Sequence, residues 1–137
     1  SLENNLFNGT VPAELGRLEL IPKNVYSVAC SLPPRLPSIS HCIIFTANNL
    51  TGGLPLELNN LTRLTELRLS SNNFTGKMPS FENWKQLQKL RISDLTGEGS
   101  EFPVLSNMTG MNKLMPRSCN LSGKIPDYIA DMTALNT

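Results

Sequence analysis

The side chains able to bind or react in this chain are few, and their spacing separates them. Arg68 and Arg91 lie 23 residues apart, and Lys89 and Lys113 lie 24 apart, with Arg117 close by. If the backbone repeats at that interval, these five cations share one surface. Guanidinium groups bind carboxylates in a bidentate way, so such a surface suits a carboxylate or an acidic peptide. Glu66 and Asp94 would neutralise part of it. A second set of chemistry-bearing residues is the Asn-x-Ser/Thr sequons at Asn8, Asn49, Asn60, Asn73, Asn107 and Asn120. None has a central proline, and their number fits a secreted or extracellular chain.

Other chemistries find no support. His41 is the single histidine, so a Ser-His-Asp system would have to use it. There is no GxSxG, no HExxH and no kinase signature. Cys30, His41 and Cys42 match no zinc spacing and lack a fourth ligand. They read as a chance cluster inside an anomalous stretch of sequence, with a loop disulfide between Cys30 and Cys42 in an oxidising compartment as the alternative. Gly97-Glu98-Gly99 lacks the third glycine of a nucleotide loop and reads as a turn. No catalytic residue, metal or cofactor is expected. The net charge of +1 gives no basic stripe for nucleic acid. The longest apolar run, Cys42–Phe45, is far below the roughly 20 residues of a spanning helix, so no membrane contact is expected of this segment itself.

The elements that must position these residues come from a repeat. The phrase Asn-x-(Leu/Phe)-x-Gly-x-aliphatic-Pro occurs four times, ending at Pro12, Pro55, Pro79 and Pro126; in the last copy Cys119-Asn120-Leu121 fills the opening. The cleanest unit runs Leu58, Leu61, Leu64, Leu67, Leu69, Asn72, Phe74, Gly76, Met78, Pro79. Leucines three apart read as 3₁₀-like turns, and the period-2 pair Leu67 and Leu69 reads as a short strand. Asn72 falls at the turn after the strand, where a buried amide can pair with backbone groups of neighbouring coils.

This unit resembles the 24-residue plant-type leucine-rich repeat, LxxLxxLxLxxNxLxGxIP, whose Gly-x-aliphatic-Pro ending is the plant-specific part. The run Leu64–Gly76 resembles the ectodomains of plant leucine-rich-repeat receptor-like kinases, and within them the subfamily that also carries a malectin-like domain. The resemblance implies an α/β solenoid with a short parallel concave sheet and a 3₁₀ or irregular convex side. About five coils are expected, with no capping segment visible at either end, so the segment alone should be marginally stable.

The match is uneven. Residues 80–103 form a degenerate unit with Trp84 as a core residue, and Leu95 in place of Asn makes Asp94–Ser100 irregular. In 104–126, Cys119 takes the Asn position and Pro116 the second strand leucine, which is awkward in a central strand. The domain is taken as residues 1–137, interrupted at 17–42 by a Pro-rich insert. That insert is either a surface loop or unrelated sequence spliced into a repeat, and the second is favoured.

Aligned by repeat, Glu66, Lys89 and Lys113 form one concave column, Arg68, Arg91 and Met115 the next, and Ser70, Ser93 and Arg117 a third. These nine are the candidate ligand-binding residues. Asn60 and Asn107, on the convex side, are the better glycan acceptors. The resemblance implies part of the ectodomain of a receptor at the extracellular face of the plasma membrane. It would bind a peptide or protein ligand and a co-receptor ectodomain, and any kinase chemistry would lie outside these residues. The alternatives are a secreted, wall-located inhibitor of cell-wall-degrading enzymes, similar to polygalacturonase inhibitors, and a non-functional product of a damaged gene.

Overall fold

The computed structural model describes residues 1–20 and 41–136. Nine short strands alternate with turns in these residues: β1 (Asn8–Thr10), β2 (His41–Ile44), β3 (Asn49–Gly52), β4 (Leu64–Arg68), β5 (Asn73–Phe74), β6 (Lys89–Ser93), β7 (Ser100–Glu101), β8 (Lys113–Arg117) and β9 (Leu121–Ser122). β2, β4, β6 and β8 stack in that order as an all-parallel sheet. This is the concave wall. Four strands enclose three complete turns, and a further segment adds itself at the N-terminal edge, where Leu2 N and Asn4 N donate to Ile44 O and Thr46 O. That is close to the five coils expected from the repeat. A second parallel sheet, β1-β3-β5, runs down one flank, and β7 pairs with β9 beyond it. Nothing in the repeat phrase predicts this flank sheet.

The convex side follows from the period-3 apolar residues. Leu61 N donates to Leu58 O, and Leu64 N to Leu61 O, each at 3.0 Å. The same pair of three-residue turns recurs at Phe81–Trp84–Leu87, Leu105–Met108–Met111 and Ile129–Met132–Leu135. A three-residue turn returns its first side chain to the same face, so every one of these leucine-position residues points inward. From Leu58 to Met111 all nine are buried. Trp84 is fully buried and packs edge-on against Phe81 at 5.4 Å between ring centroids. Its Nε1–H donates to Leu58 O one coil back at 2.9 Å. Tyr128 ties the next coils together: its hydroxyl donates to Pro103 O and accepts from Leu105 N at 3.1 Å.

The motif asparagines bind coil to coil. Asn72 is 4% exposed. Its Oδ1 accepts from Leu50 N at 3.1 Å, and its Nδ2 donates to Phe45 O at 2.9 Å and Leu69 O at 3.2 Å. Asn48 makes the same set one coil earlier, to Phe7 N, Leu2 O and Phe45 O. Cys119 keeps the donor half of this pattern, with Sγ 3.2 Å from Arg117 O and 3.5 Å from Ile92 O. Leu95 keeps neither half and is simply buried. In that coil the Ser93 hydroxyl takes over part of the task, accepting from Ser71 N and donating to Asp94.

Pro116 is accommodated because β8 is the outermost of the four described concave strands. Of the insert assigned to 17–42, residues 17–20 continue a 3₁₀ helix (Ala13–Leu20), and His41 and Cys42 open β2. Cys42 is disulfide-bonded. The remainder, including Cys30, lies outside the described residues.

Candidate functional site

Strand alternation places the site. Along β4, Leu67 points into the core, fully buried, while Arg68 is half-buried on the opposite, concave surface. The register then sets like positions side by side. Glu66 pairs with Lys89, and Lys89 with Lys113. Arg68 pairs with Arg91, and Arg91 with Met115. Ser93 pairs with Arg117. Ser70 lies two residues past the end of β4. The structure therefore gathers the basic candidates on one wall, where Glu66, Arg68, Lys89, Leu90, Arg91 and Lys113 line a shallow depression.

The electrostatics of the wall are uneven. Glu66 is only 3% exposed. Arg68 donates to its Oε1 through both Nε and Nη2. Lys89 Nζ stands 3.9 Å from its Oε2. Removing a carboxylate from water is costly unless cations and hydrogen bonds replace the lost hydration, and Arg68 supplies both. Arg68 is thus largely committed within the protein. Among the described residues, Arg91, Lys113 and Arg117 have no acidic partner within salt-bridge distance. The part of the wall open to an incoming anion is displaced toward β6 and β8. The sequence signal for the internal pair was present, since opposite charges two apart on one strand share a face, but burial of Glu66 is a tertiary property.

The sequons are all on the surface: Asn8, Asn49, Asn60, Asn73, Asn107 and Asn120 are exposed. Asn60 closes the 3₁₀ helix Leu56–Asn60 on the convex side, and Asn107 sits in the turn between Leu105 and Met108. Asn49 and Asn73 lie on the flank sheet, where Asn73 Nδ2 donates to Asn49 Oδ1 at 2.9 Å. Cys119 is a free, buried thiol. Burial raises its pKa, the charge of Asp94 adds to this, and backbone hydrogen bonds at Leu95 and Arg117 oppose it.

Stacked parallel strands, three-residue convex turns and an asparagine ladder define a leucine-rich-repeat solenoid of the plant type. The Leucine Rich Repeat family model matches residues 63–84, the cleanest unit. The relatives are consistent with one another. The receptor-like kinase TMK2 of Arabidopsis thaliana is 30% identical over 116 residues, covering 64% of this chain and 13% of its own length. The Arabidopsis receptor kinase HAESA, solved with the peptide hormone IDA and the co-receptor SERK1, superposes with a TM-score of 0.77 at 26% identity. The match covers 98% of this chain and 20% of HAESA's. A TDR receptor gives a TM-score of 0.76 at 30% identity over 97% of this chain and 20% of its own. The chain is a plant-type leucine-rich-repeat segment similar to stretches of receptor-kinase ectodomains, and it spans a fifth or less of these three relatives.

Proposed function

We propose that this chain is part of the extracellular recognition region of a plant receptor-like kinase, presenting its concave wall to a peptide or protein ligand and engaging a co-receptor ectodomain. The observation that carries this reading is the register of the concave sheet. It brings Arg91, Lys113 and Arg117 together on adjacent strands with no acidic partner among the described residues. A rigid surface bearing unpaired cations recognises an anionic group without first reorganising. The nine residues Glu66, Arg68, Ser70, Lys89, Arg91, Ser93, Lys113, Met115 and Arg117 form the proposed ligand face. Met115, 42% exposed, adds an apolar contact at its edge. The domain assignment of 1–137 belongs to the same proposal, with the Pro-rich segment as an interruption, and so does the narrower likeness to the malectin-domain subfamily. The relatives are receptors, which favours this reading over a secreted enzyme inhibitor.

The test is binding of a fluorescent acidic peptide pool, followed by anisotropy. Charge reversal at Arg68 and Arg91 weakens binding by roughly 10-fold or more, since a charge-assisted hydrogen bond is worth about 1.5–3 kcal/mol. Arg91→Glu accounts for most of the loss, because Arg68 is held by Glu66. Binding by both variants equal to the unmodified chain would sink the basic-wall reading.

A further inference from the structure

One carboxylate lies among the cations of the concave wall, and it belongs to the protein. Glu66 and Arg68 are two apart on β4 and so share a face. Oε1 of Glu66 accepts from both Nε and Nη2 of Arg68, which takes up one whole edge of the guanidinium. Oε2 faces the neighbouring strands. Lys89, the register partner on β6, holds its Nζ 3.9 Å away. Cys42, the register partner on β2, packs its Sγ at the same 3.9 Å. Among the described residues, Glu66 is the single acidic side chain lining the depression that it shares with Arg68, Lys89, Arg91 and Lys113. It makes for itself the contacts that an acidic ligand group would otherwise make there.

We propose that Glu66 is a specificity-determining residue: it closes the β4 half of the wall to anions and confines recognition of an acidic group to Arg91, Lys113 and Arg117 on β6 and β8. The inference rests on the basic-wall reading above and deepens it. An anion over β4 meets Arg68 already engaged and the Glu66 carboxylate beside it. Partly buried charges are screened far less than exposed ones, so that repulsion persists in salt. Like charge set against a partner is how an interface rejects the wrong one. An anion over β6 and β8 meets cations with no internal acid to displace. The fitting ligand therefore carries its acidic groups together at one end and is uncharged where it crosses β4.

Two peptides of one composition, each blocked at both ends and tagged with a neutral dye, provide the test. β4 and β8 are two strand steps apart, about 10 Å, which an extended peptide covers in three residues at about 3.3 Å each. The clustered probe is Asp-Asp-Gly-Gly-Gly and the split probe is Asp-Gly-Gly-Asp-Gly, with binding followed by anisotropy at low salt. The unmodified chain should bind the clustered probe several-fold more tightly. In Glu66→Gln the split probe should gain about 10-fold, the worth of one charge-assisted hydrogen bond regained from Arg68, and the preference should vanish or reverse. Glu66→Asp keeps the charge and should keep the preference. A change in net charge alone moves both probes together, so their ratio isolates the local effect. Equal binding of the two probes by the unmodified chain overturns the proposal, and needs no variant to fold. An unchanged ratio in Glu66→Gln, with Trp84 fluorescence showing a folded chain, overturns it too. Arg91→Glu keeps the two inferences apart. If that variant still binds the clustered probe as the unmodified chain does, the basic-wall reading itself fails. If it loses that binding while Glu66→Gln leaves the ratio unchanged, only the role of Glu66 falls.

Discussion

Replacing Asn72 by leucine removes a side chain that ties its own coil to the preceding one. The amide accepts from Leu50 N and donates to Phe45 O and Leu69 O, with Ser70 O at 3.3 Å as a further acceptor. Leu50, Phe45 and Leu69 are all buried, so water does not take the amide's place. One stranded buried donor costs about 1–3 kcal/mol, and each lost net hydrogen bond about 1 kcal/mol. Leucine returns some of this through added apolar burial, so we expect a loss of about 3 kcal/mol. With a urea m-value of about 2 kcal/mol/M, the midpoint falls by about 1.5 M. Trp84, the single tryptophan and fully buried, reports the transition by fluorescence. Asn72→Cys is the informative partner, because Cys119 fills this position two coils on and reaches two carbonyls. It should lose about half as much as the leucine variant. A midpoint for Asn72→Leu within about 0.3 M of the unmodified chain would refute the claim that the ladder holds the coils.

Three further predictions use simple assays. A Cβ on Gly97 would lie 2.5 Å from Gly76 N and 2.8 Å from Gly76 Cα, both backbone atoms, so Gly97→Ala should lower stability by about 1–3 kcal/mol in the same urea titration. Tyr128→Phe leaves Leu105 N and Pro103 O without their shared hydroxyl and should cost about 1–2 kcal/mol, read as a lower melting temperature. For Cys119 the folded pKa lies above the ordinary value of 9.0. The stability this thiol contributes is therefore intact below that value and is lost as pH rises through the folded pKa. A maleimide should label Cys119 slowly at pH 8 and rapidly in urea; equal rates in both would contradict its burial.

The repeat was legible because it is written in residue types with single meanings. Leucines at intervals of three specify the convex turns, Leu67-Arg68-Leu69 the concave strand, and the repeat interval the columns of the concave face. The substitution of Asn by Cys119 was also readable, and the structure shows the sulfur at the same carbonyl positions. What stayed hidden depends on atoms meeting across coils. The flank sheet is built from two- to four-residue strands inside the Asn-x-Leu-x-Gly phrase, too short to show a period of their own. The capture of Arg68 by Glu66 depends on how deeply the carboxylate sits, which no spacing records. The rescue of the Leu95 coil by Ser93 combines a serine from one coil with an amide from another.

One corner of the solenoid repeats more faithfully than its sequence. Asn4, Ala47, Ser71, Asp94 and Ser118 all have φ between +51° and +61°, and each directly precedes the ladder position of its coil. Four residue types thus adopt one left-handed bend, in the irregular coil as in the regular ones. A conformation that disfavours side chains by about 1–2 kcal/mol is imposed by the stack and not chosen by the residue that bears it. The corner is in effect a joint indifferent to what occupies it. It lies immediately after Thr46, Ser70, Ser93 and Arg117, at the rim of the concave wall. Substitution there changes the chemistry of the rim while the wall behind it keeps its shape, so a lineage of such chains can revise what it recognises one corner at a time.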